Sequence, residues 1–186
     1  MKYEKINSEL FIKNRKSFMK NMIGNSIAFF NSNDIYPISA DSTLAFEQHR
    51  DIFYLSGVDQ EESILVLCPN AKDEKHKEVL FLKETNNHIA IWEGAKLTKN
   101  QAFETSGVRT VYWLKDSEKI IAELIDHCDI IYYNHNEHYR AKVETETREE
   151  RFNKWLKGKY PHKKSERSNP ILQRLRSVKD PIEINL

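Results

Sequence analysis

Apolar positions recur near helical spacing at the start of the chain. Ile6, Leu10, Phe11, Phe18, Met19 and Met22 mark one face, and Gly24 stands where such a helix stops, so residues 8–22 are predicted as an amphipathic helix. Arg15 falls on that face, either snorkelling with its head in water or holding an ion pair beneath the helix. Ser26 to Phe30 is a short apolar run suited to a strand, and the segment NSNDIYPISADST, rich in Asn, Ser, Asp and Pro, predicts a loop. The run IFYLSG, ending at Gly57, and the run Ser63 to Leu67, closed by Pro69, are two strand candidates that could pair across the polar GVDQEE. Val79 to Leu82 is a third.

Further along, HIAIW (residues 88–92) suits either a short helix or a strand, ended by Gly94. Thr98 and Gln101 form a capping box that opens a short helix, and Gly107 closes it. Val111 to Leu114 is a strand, Ile120, Ile121, Leu124 and Ile125 form one face of a helix begun by Asp116 or Ser117, and Ile130 to Tyr133 is the strand expected to complete the sheet. This alternation predicts an α/β layered domain. After Tyr133 the character changes. Thr147 and Glu150 cap a polar helix carrying Phe152, Trp155 and Leu156 and ended by Gly158, and KGKYPHKKSERSNP is expected to be a linker or solvated loop. Asn169 and Pro170 then start a helix with Ile171, Leu172, Leu175 and Val178 on one face, ending near Lys179. Asp180 and Pro181 announce another helix, but only six residues follow Asp180, whereas an isolated helix needs about 12–15; the chain is expected to be cut at a domain boundary.

Composition narrows the class. A chain of 186 residues with 39% hydrophobic and 31% charged residues and five each of Gly and Pro is a folded globular protein, one domain of ordinary size. With 29 basic and 28 acidic residues, it is not built to neutralise a phosphate backbone, so nucleic acid is not expected as a partner. The N-terminus has no apolar run of signal-peptide length and no window reaches membrane-span length, which predicts a cytoplasmic protein without a membrane partner. Cys68 and Cys128, 60 residues apart, are expected to be buried thiols.

Candidate chemistry is sparse. His135 and His138 in NHNEH lack the helical i, i+4 pairing around a Glu that metalloproteases use, and a hydrolase built on them is a weak reading beside solvated loop histidines. Asp59, Glu61 and Glu62 could supply an acid and a base, yet a turn between strands predicts solvated carboxylates. The two Cys and five Gly assemble no phosphate loop and no nucleophile elbow. Trp92, just before the turn at Gly94, is either a core ring or an aromatic contact at an interface or ligand site.

Taken in order, Asp41, FEQHRDIFYLSG, ESILVLCP, EVLFL, IWEG and RLRSVKDPIEI resemble the N-terminal domain of aminopeptidase P, the Xaa-Pro aminopeptidase branch of the creatinase and prolidase family. Gln48, Asp51, Phe53, Tyr54 and Gly57 match its pattern, whereas Glu47 stands where the family carries Arg. The resemblance implies a creatinase/prolidase N-terminal domain-like α/β fold, a mixed six-stranded sheet flanked by helices, over residues 1–160. Residues 161–186 would be a linker and helix leading into an absent pita-bread catalytic domain. There, two divalent metal ions, typically manganese, would be held by two Asp, one His and two Glu; no catalytic residue, metal ligand or cofactor is expected in this chain. The implied function is a non-catalytic substrate-access and oligomerisation domain of an enzyme that removes the N-terminal residue from peptides with proline second. Its partners would be its own catalytic domain, further copies in a dimer or tetramer, and the peptide. Trp92 would lie near the substrate entrance, and Glu47, Gln48, His49 and Arg50 would make the interdomain or subunit contact. A stand-alone peptide- or protein-binding module of the same fold is the alternative.

Overall fold

The computed structural model describes residues 6–40, 42–137 and 146–178, apart from the side chains of Asn87, Trp92 and Glu93. The first helix, α1 (Ser8–Lys20), is capped by the Asn7 side chain, which accepts the Glu9 N–H. It is followed by β1 (Ser26–Asn31), the short hairpin strands β2 (Pro37–Ser39) and β3 (Ser42–Thr43), α2 (Arg50–Ser56), β4 (Ile64–Leu67) and β5 (Glu78–Leu82). The second half adds α3 (Asn87–Glu93), α4 (Lys99–Ser106), β6 (Thr110–Trp113), α5 (Ser117–Asp126), β7 (Ile130–Tyr133), α6 (Arg148–Lys159), β8 (Lys164–Arg167) and α7 (Asn169–Ser177).

Six strands form one mixed sheet in the order β6-β5-β4-β1-β7-β8. β4 pairs antiparallel with β1 and β5, while the pairs β5/β6, β1/β7 and β7/β8 are parallel. The central strands β1 and β4 are buried throughout, as strands covered on both faces must be. On one face Ala28, Phe30, Leu65, Leu67, Leu80 and Leu82 pack against Phe18 of α1, Ile52 and Leu55 of α2, Ala102 of α4, and Ile171 and Leu172 of α7. On the other, Ile27, Phe29, Val66 and Phe81 meet Ile121, Leu124 and Ile125 of α5 and Leu156 of α6. The expected six-stranded mixed sheet flanked by helices is therefore present.

Two expectations are corrected. IFYLSG is α2, not a strand, so it does not pair with β4. Ile52 and Leu55, three apart, are its fully buried apolar positions, and Gly57 caps the helix in the left-handed region at φ +67°. A Cβ there would also stand 2.2 Å from the Phe11 ring, so the turn needs glycine twice over. A short apolar run rich in aromatics does not by itself distinguish strand from helix. Second, the basic segment expected to be a linker contains β8, which completes the sheet beyond Ile130–Tyr133. All four β8 residues are exposed, so no apolar alternation betrays the strand, and its Lys and Arg blunt an open edge.

Smaller adjustments follow the same logic. HIAIW is helical, because the Asn86 side chain accepts both the His88 and Ile89 N–H groups at 2.9 Å. The predicted loop holds the β2/β3 hairpin, α6 runs through Gly158 to Lys159, and Ser168, not Asn169, occupies the N-cap position of α7. Both predicted capping boxes are formed.

Arg15 does not snorkel. Its side chain is 0% exposed and ion-paired to Glu78 of β5, with Nε and Nη2 each 2.9 Å from Oε2. Nη1 donates to the Leu55 and Ser106 carbonyls, both at 2.8 Å. Those carbonyls sit in the last turns of α2 and α4, where helix oxygens lack intrahelical donors and the helix dipole favours a cation. Arg15→Met, which keeps the stem and removes the guanidinium, is expected to lower the unfolding free energy by about 3 kcal/mol or more. Urea unfolding followed by circular dichroism measures it; a loss below about 1 kcal/mol would reduce the pair to the worth of an exposed salt bridge.

Candidate functional site

A concavity of about 1160 Å³ opens where the loop into α2, the loop after β7 and the exposed flank of α7 come together. Glu47, Gln48, His49 and Arg50 line one wall, His135 to Glu137 a second, and Gln173 and Arg176 a third. Glu47 and Arg50 are exposed, Gln48 and His49 half-buried.

Each wall is held by directional bonds. Gln48 Nε2 donates to the Val58 and Gln60 carbonyls at 3.0 and 2.9 Å, and its Oε1 accepts the His49 N–H at 2.8 Å, so Gln48 is a strut that fixes the loop. The Glu47 carbonyl accepts Asn33 Nδ2 at 2.9 Å. His49 caps α2: its Nδ1 accepts the Asp51 N–H at 3.3 Å. Burial pushes the His49 pKa down, against the pull of the Asp51 carboxylate and with help from Arg176, which suits a neutral ring using its lone pair as acceptor.

Asp51 is the floor of the cleft. It is buried and accepts Asn134 Nδ2 at 2.7 Å from the end of β7, and its other oxygen takes Arg176 Nη2 from α7. The Arg176 guanidinium also lies 5.0 Å over the Tyr54 ring. Asn169 closes the third side, donating to the His135 carbonyl at 2.6 Å and accepting its N–H at 3.3 Å. Asn153 of α6 donates to the Asn134 carbonyl at 2.6 Å. Behind this floor Glu149, 4% exposed, accepts the Asn31 N–H at 2.8 Å. Burial foremost, with Asp51 adding to it and the Asn31 bonds opposing, raises its pKa to about 8.

These contacts revise several expectations. The loop Glu47–Arg50 does border a cleft, yet Gln48 and His49 spend their polar atoms on the fold. His135 is half-buried beside Asn153, with its pKa lowered by burial and then by Lys157; it is not a freely solvated histidine. His138 and Asp41 lie outside the described residues, as do Asp180 and Pro181. Trp92 belongs to α3, and its side chain lies outside the described residues. The acidic turn is paired where solvation was expected: Glu61 meets Lys96 with both side chains mostly covered, and Glu62 lies 3.5 Å from Lys83. Asp51, Asn134, Arg176 and Glu149 were not singled out as a group by sequence, since they come together only through the sheet order.

Among the described residues no three His, Cys, Asp or Glu side chains are placed to hold a metal ion, so a two-metal centre does not fit them. Nor is any described helix long and apolar enough to cross a membrane. What the arrangement offers is a rigid, polar, concave wall whose own charges are largely engaged.

The family model for the aminopeptidase P N-terminal domain matches residues 11–132. The chain belongs to that family. Curated relatives include Xaa-Pro aminopeptidase 3 of Homo sapiens, 26% identical over 155 residues, which cover 82% of this chain and 30% of the relative. The Xaa-Pro aminopeptidase of Escherichia coli K12 is 26% identical over 138 residues, 74% of this chain and 31% of the relative. The chain thus spans about a third of the length of these aminopeptidases. Among solved structures, Pseudomonas aeruginosa aminopeptidase PepP superposes with a TM-score of 0.77 at 22% identity, over 97% of this chain and 41% of that one. E. coli aminopeptidase P with the inhibitor Pro-Leu gives 0.75 at 23%, over 98% and 41%. Both carry the same fold as this aminopeptidase P N-terminal domain.

The buried Glu149 carboxyl gives the domain a pH-dependent stability. With a folded pKa near 8 against an ordinary 4.5, the folded state holds the proton more tightly than the unfolded one. The Glu149 contribution is therefore full below the ordinary value and is lost as pH rises through the folded one. Glu149→Gln, neutral at every pH, is expected to flatten the fall of unfolding free energy between these two values. Urea unfolding of both proteins across that range tests it, and parallel stability curves would refute the buried neutral carboxyl.

Proposed function

We propose that the chain forms the non-catalytic N-terminal domain of a metal-dependent Xaa-Pro aminopeptidase, one that releases the N-terminal residue from peptides with proline second. The observation that carries this reading is the family match over residues 11–132 in a chain that spans about 30% of the Xaa-Pro aminopeptidases it resembles. The catalytic domain would supply the two divalent ions, and with them an activated water at the scissile bond.

In this reading the cleft bordered by Glu47, Arg50 and Arg176 docks the domain against its catalytic partner, since a polar concavity with fixed walls suits a repeatable interdomain contact. The exposed apolar side chains Tyr36, Ile38 and Leu44 around the β2/β3 hairpin offer an assembly surface for further copies. Trp92, in α3 beside the exposed Ile91, narrows the substrate entrance of its own or a neighbouring subunit. Manganese as the metal, a dimer or tetramer as the assembly and the cytoplasm as the compartment belong to the same proposal and rest on the family resemblance.

In the full-length enzyme, Trp92→Ala is expected to lower kcat/KM for Xaa-Pro peptides by roughly tenfold, the loss of one aromatic contact, with metal content unchanged. Unchanged kinetics over a range of peptide lengths would remove Trp92 from the entrance. A full-length protein without activity on such peptides, loaded with manganese, would favour the stand-alone binding module instead.

A further inference from the structure

Cys68 and Cys128 stand 60 residues apart in the chain, yet their sulfurs are 3.5 Å apart. The sheet order explains the meeting. Cys68 directly follows β4 and Cys128 leads into β7, and both strands flank β1 in the sheet. The ladder places Leu67 opposite Ala28 and Ile130 opposite Ser26, so the two thiols face each other across the start of β1. Both are free, and both are buried, at 2% and 1% exposure.

The backbone around the pair is fixed. The Cys68 N–H donates to the Lys77 carbonyl at 2.9 Å and its carbonyl accepts the Ala71 N–H at 3.0 Å, while the Cys128 N–H donates to the Ile125 carbonyl at 3.0 Å. Lys163, from the turn after α6, donates to the Cys128 carbonyl. Two thiols held this close by separate strands need a closure of only roughly 1.5 Å to reach bonding distance. A buried cysteine that packs as a small hydrophobe needs no second cysteine against it.

We propose that Cys68 and Cys128 are a reversible redox pair, an oxidative modification site at which a peroxide closes an intrachain disulfide and a small dithiol reopens it. In the first step a thiolate attacks the peroxide O–O bond, which breaks; one oxygen stays on sulfur as a sulfenic acid and the other leaves as hydroxide, taking up the thiol's proton as water. In the second, the other sulfur attacks that sulfenic acid, the S–S bond forms, the S–O bond breaks and water leaves. Two thiols lose two electrons and two protons, and one peroxide becomes two waters. Cys68 is taken as the first nucleophile: the hydrogen bond it shares with Cys128, with the Asn70 backbone adding to it and burial opposing, lowers its pKa, whereas that hydrogen bond and burial raise that of Cys128. Peroxide is close to water in size and reaches the pair when the turn after β4, bounded by the exposed Asn70, opens locally.

The test uses the reduced chain treated with hydrogen peroxide, then unfolded and alkylated with N-ethylmaleimide. The expected product has no maleimide adduct, is about 2 Da lighter, yields a cross-linked peptide containing Cys68 and Cys128, and reverts with dithiothreitol. Closing this long loop restricts the unfolded chain, so the thermal midpoint is expected to rise by roughly 5–10 °C. Cys128→Ser should instead leave a sulfenic acid on Cys68 that dimedone traps; should that variant fail to fold, the wild-type mass and midpoint still decide. Two maleimide adducts after peroxide treatment, sulfinic acid on Cys68 without a cross-link, or disulfides between chains would each overturn the proposal.

Discussion

The buried guanidinium of Arg15 sets the arrangement of one whole face of the sheet. It joins a helix that precedes the sheet to the ends of two later helices and to the first residue of β5, within one side chain. The cost of burying that charge is offset because its acceptors are themselves in need of donors: the final carbonyls of α2 and α4, and a Glu78 carboxylate held beside them. Both helices end in the same way. Ser56 and Ser106 donate back to the carbonyls four residues earlier, and Gly57 and Gly107 follow in the left-handed region. α1 can close over these ends because neither glycine has a Cβ, Gly57 facing Phe11 and Gly107 facing Ile12.

The same helix α2 carries this order to the cleft. Its C-terminal end is gripped by Arg15, and its N-terminal end by Asp51, which binds Asn134 and Arg176. A seven-residue helix is far too short to persist by propensity; here its two ends are fixed by charged groups from opposite directions. The position of the Glu47–Arg50 loop relative to α7 is thereby set by the core. This connects the interior to the proposed docking role, since a surface meant to meet another domain repeatedly gains from walls that do not need to be ordered on contact.

Legibility in the sequence followed the kind of force involved. Strands β1, β4, β5 and β7 were readable because they are buried runs, and the helices opened by Thr98 and Thr147 were readable because capping boxes are local chemistry. α2 was misread because seven residues carry too few turns for periodicity to speak, and its helical state is fixed from outside by Arg15 at one end and by Asn134 and Arg176 on Asp51 at the other. β8 was missed because an exposed edge strand is specified by its neighbour's backbone, to which Lys164–Arg167 contribute no apolar pattern. The cleft was legible only at the loop Glu47–Arg50. Asn134, Glu149 and Arg176 lie at distant chain positions, each unremarkable among charged neighbours, and only the order β1-β7-β8 followed by α7 brings them to one place.

The way that cleft uses its charges fits the docking role proposed for it. A general base needs a lone pair that is poised and reachable. Asp51 is engaged on both oxygens, by an amide and a guanidinium, the His49 Nδ1 lone pair is spent on the N-cap of α2, and Glu149 holds its proton up to about pH 8 behind the floor. The shifts of His49, His135 and Glu149 all have burial as their first cause, and structural networks perturb pKa values in this way as well as functional sites do. Glu47, Arg50 and Arg176 border this concave frame, and charges so placed are the form of complementarity that would orient a partner domain in the proposed docking.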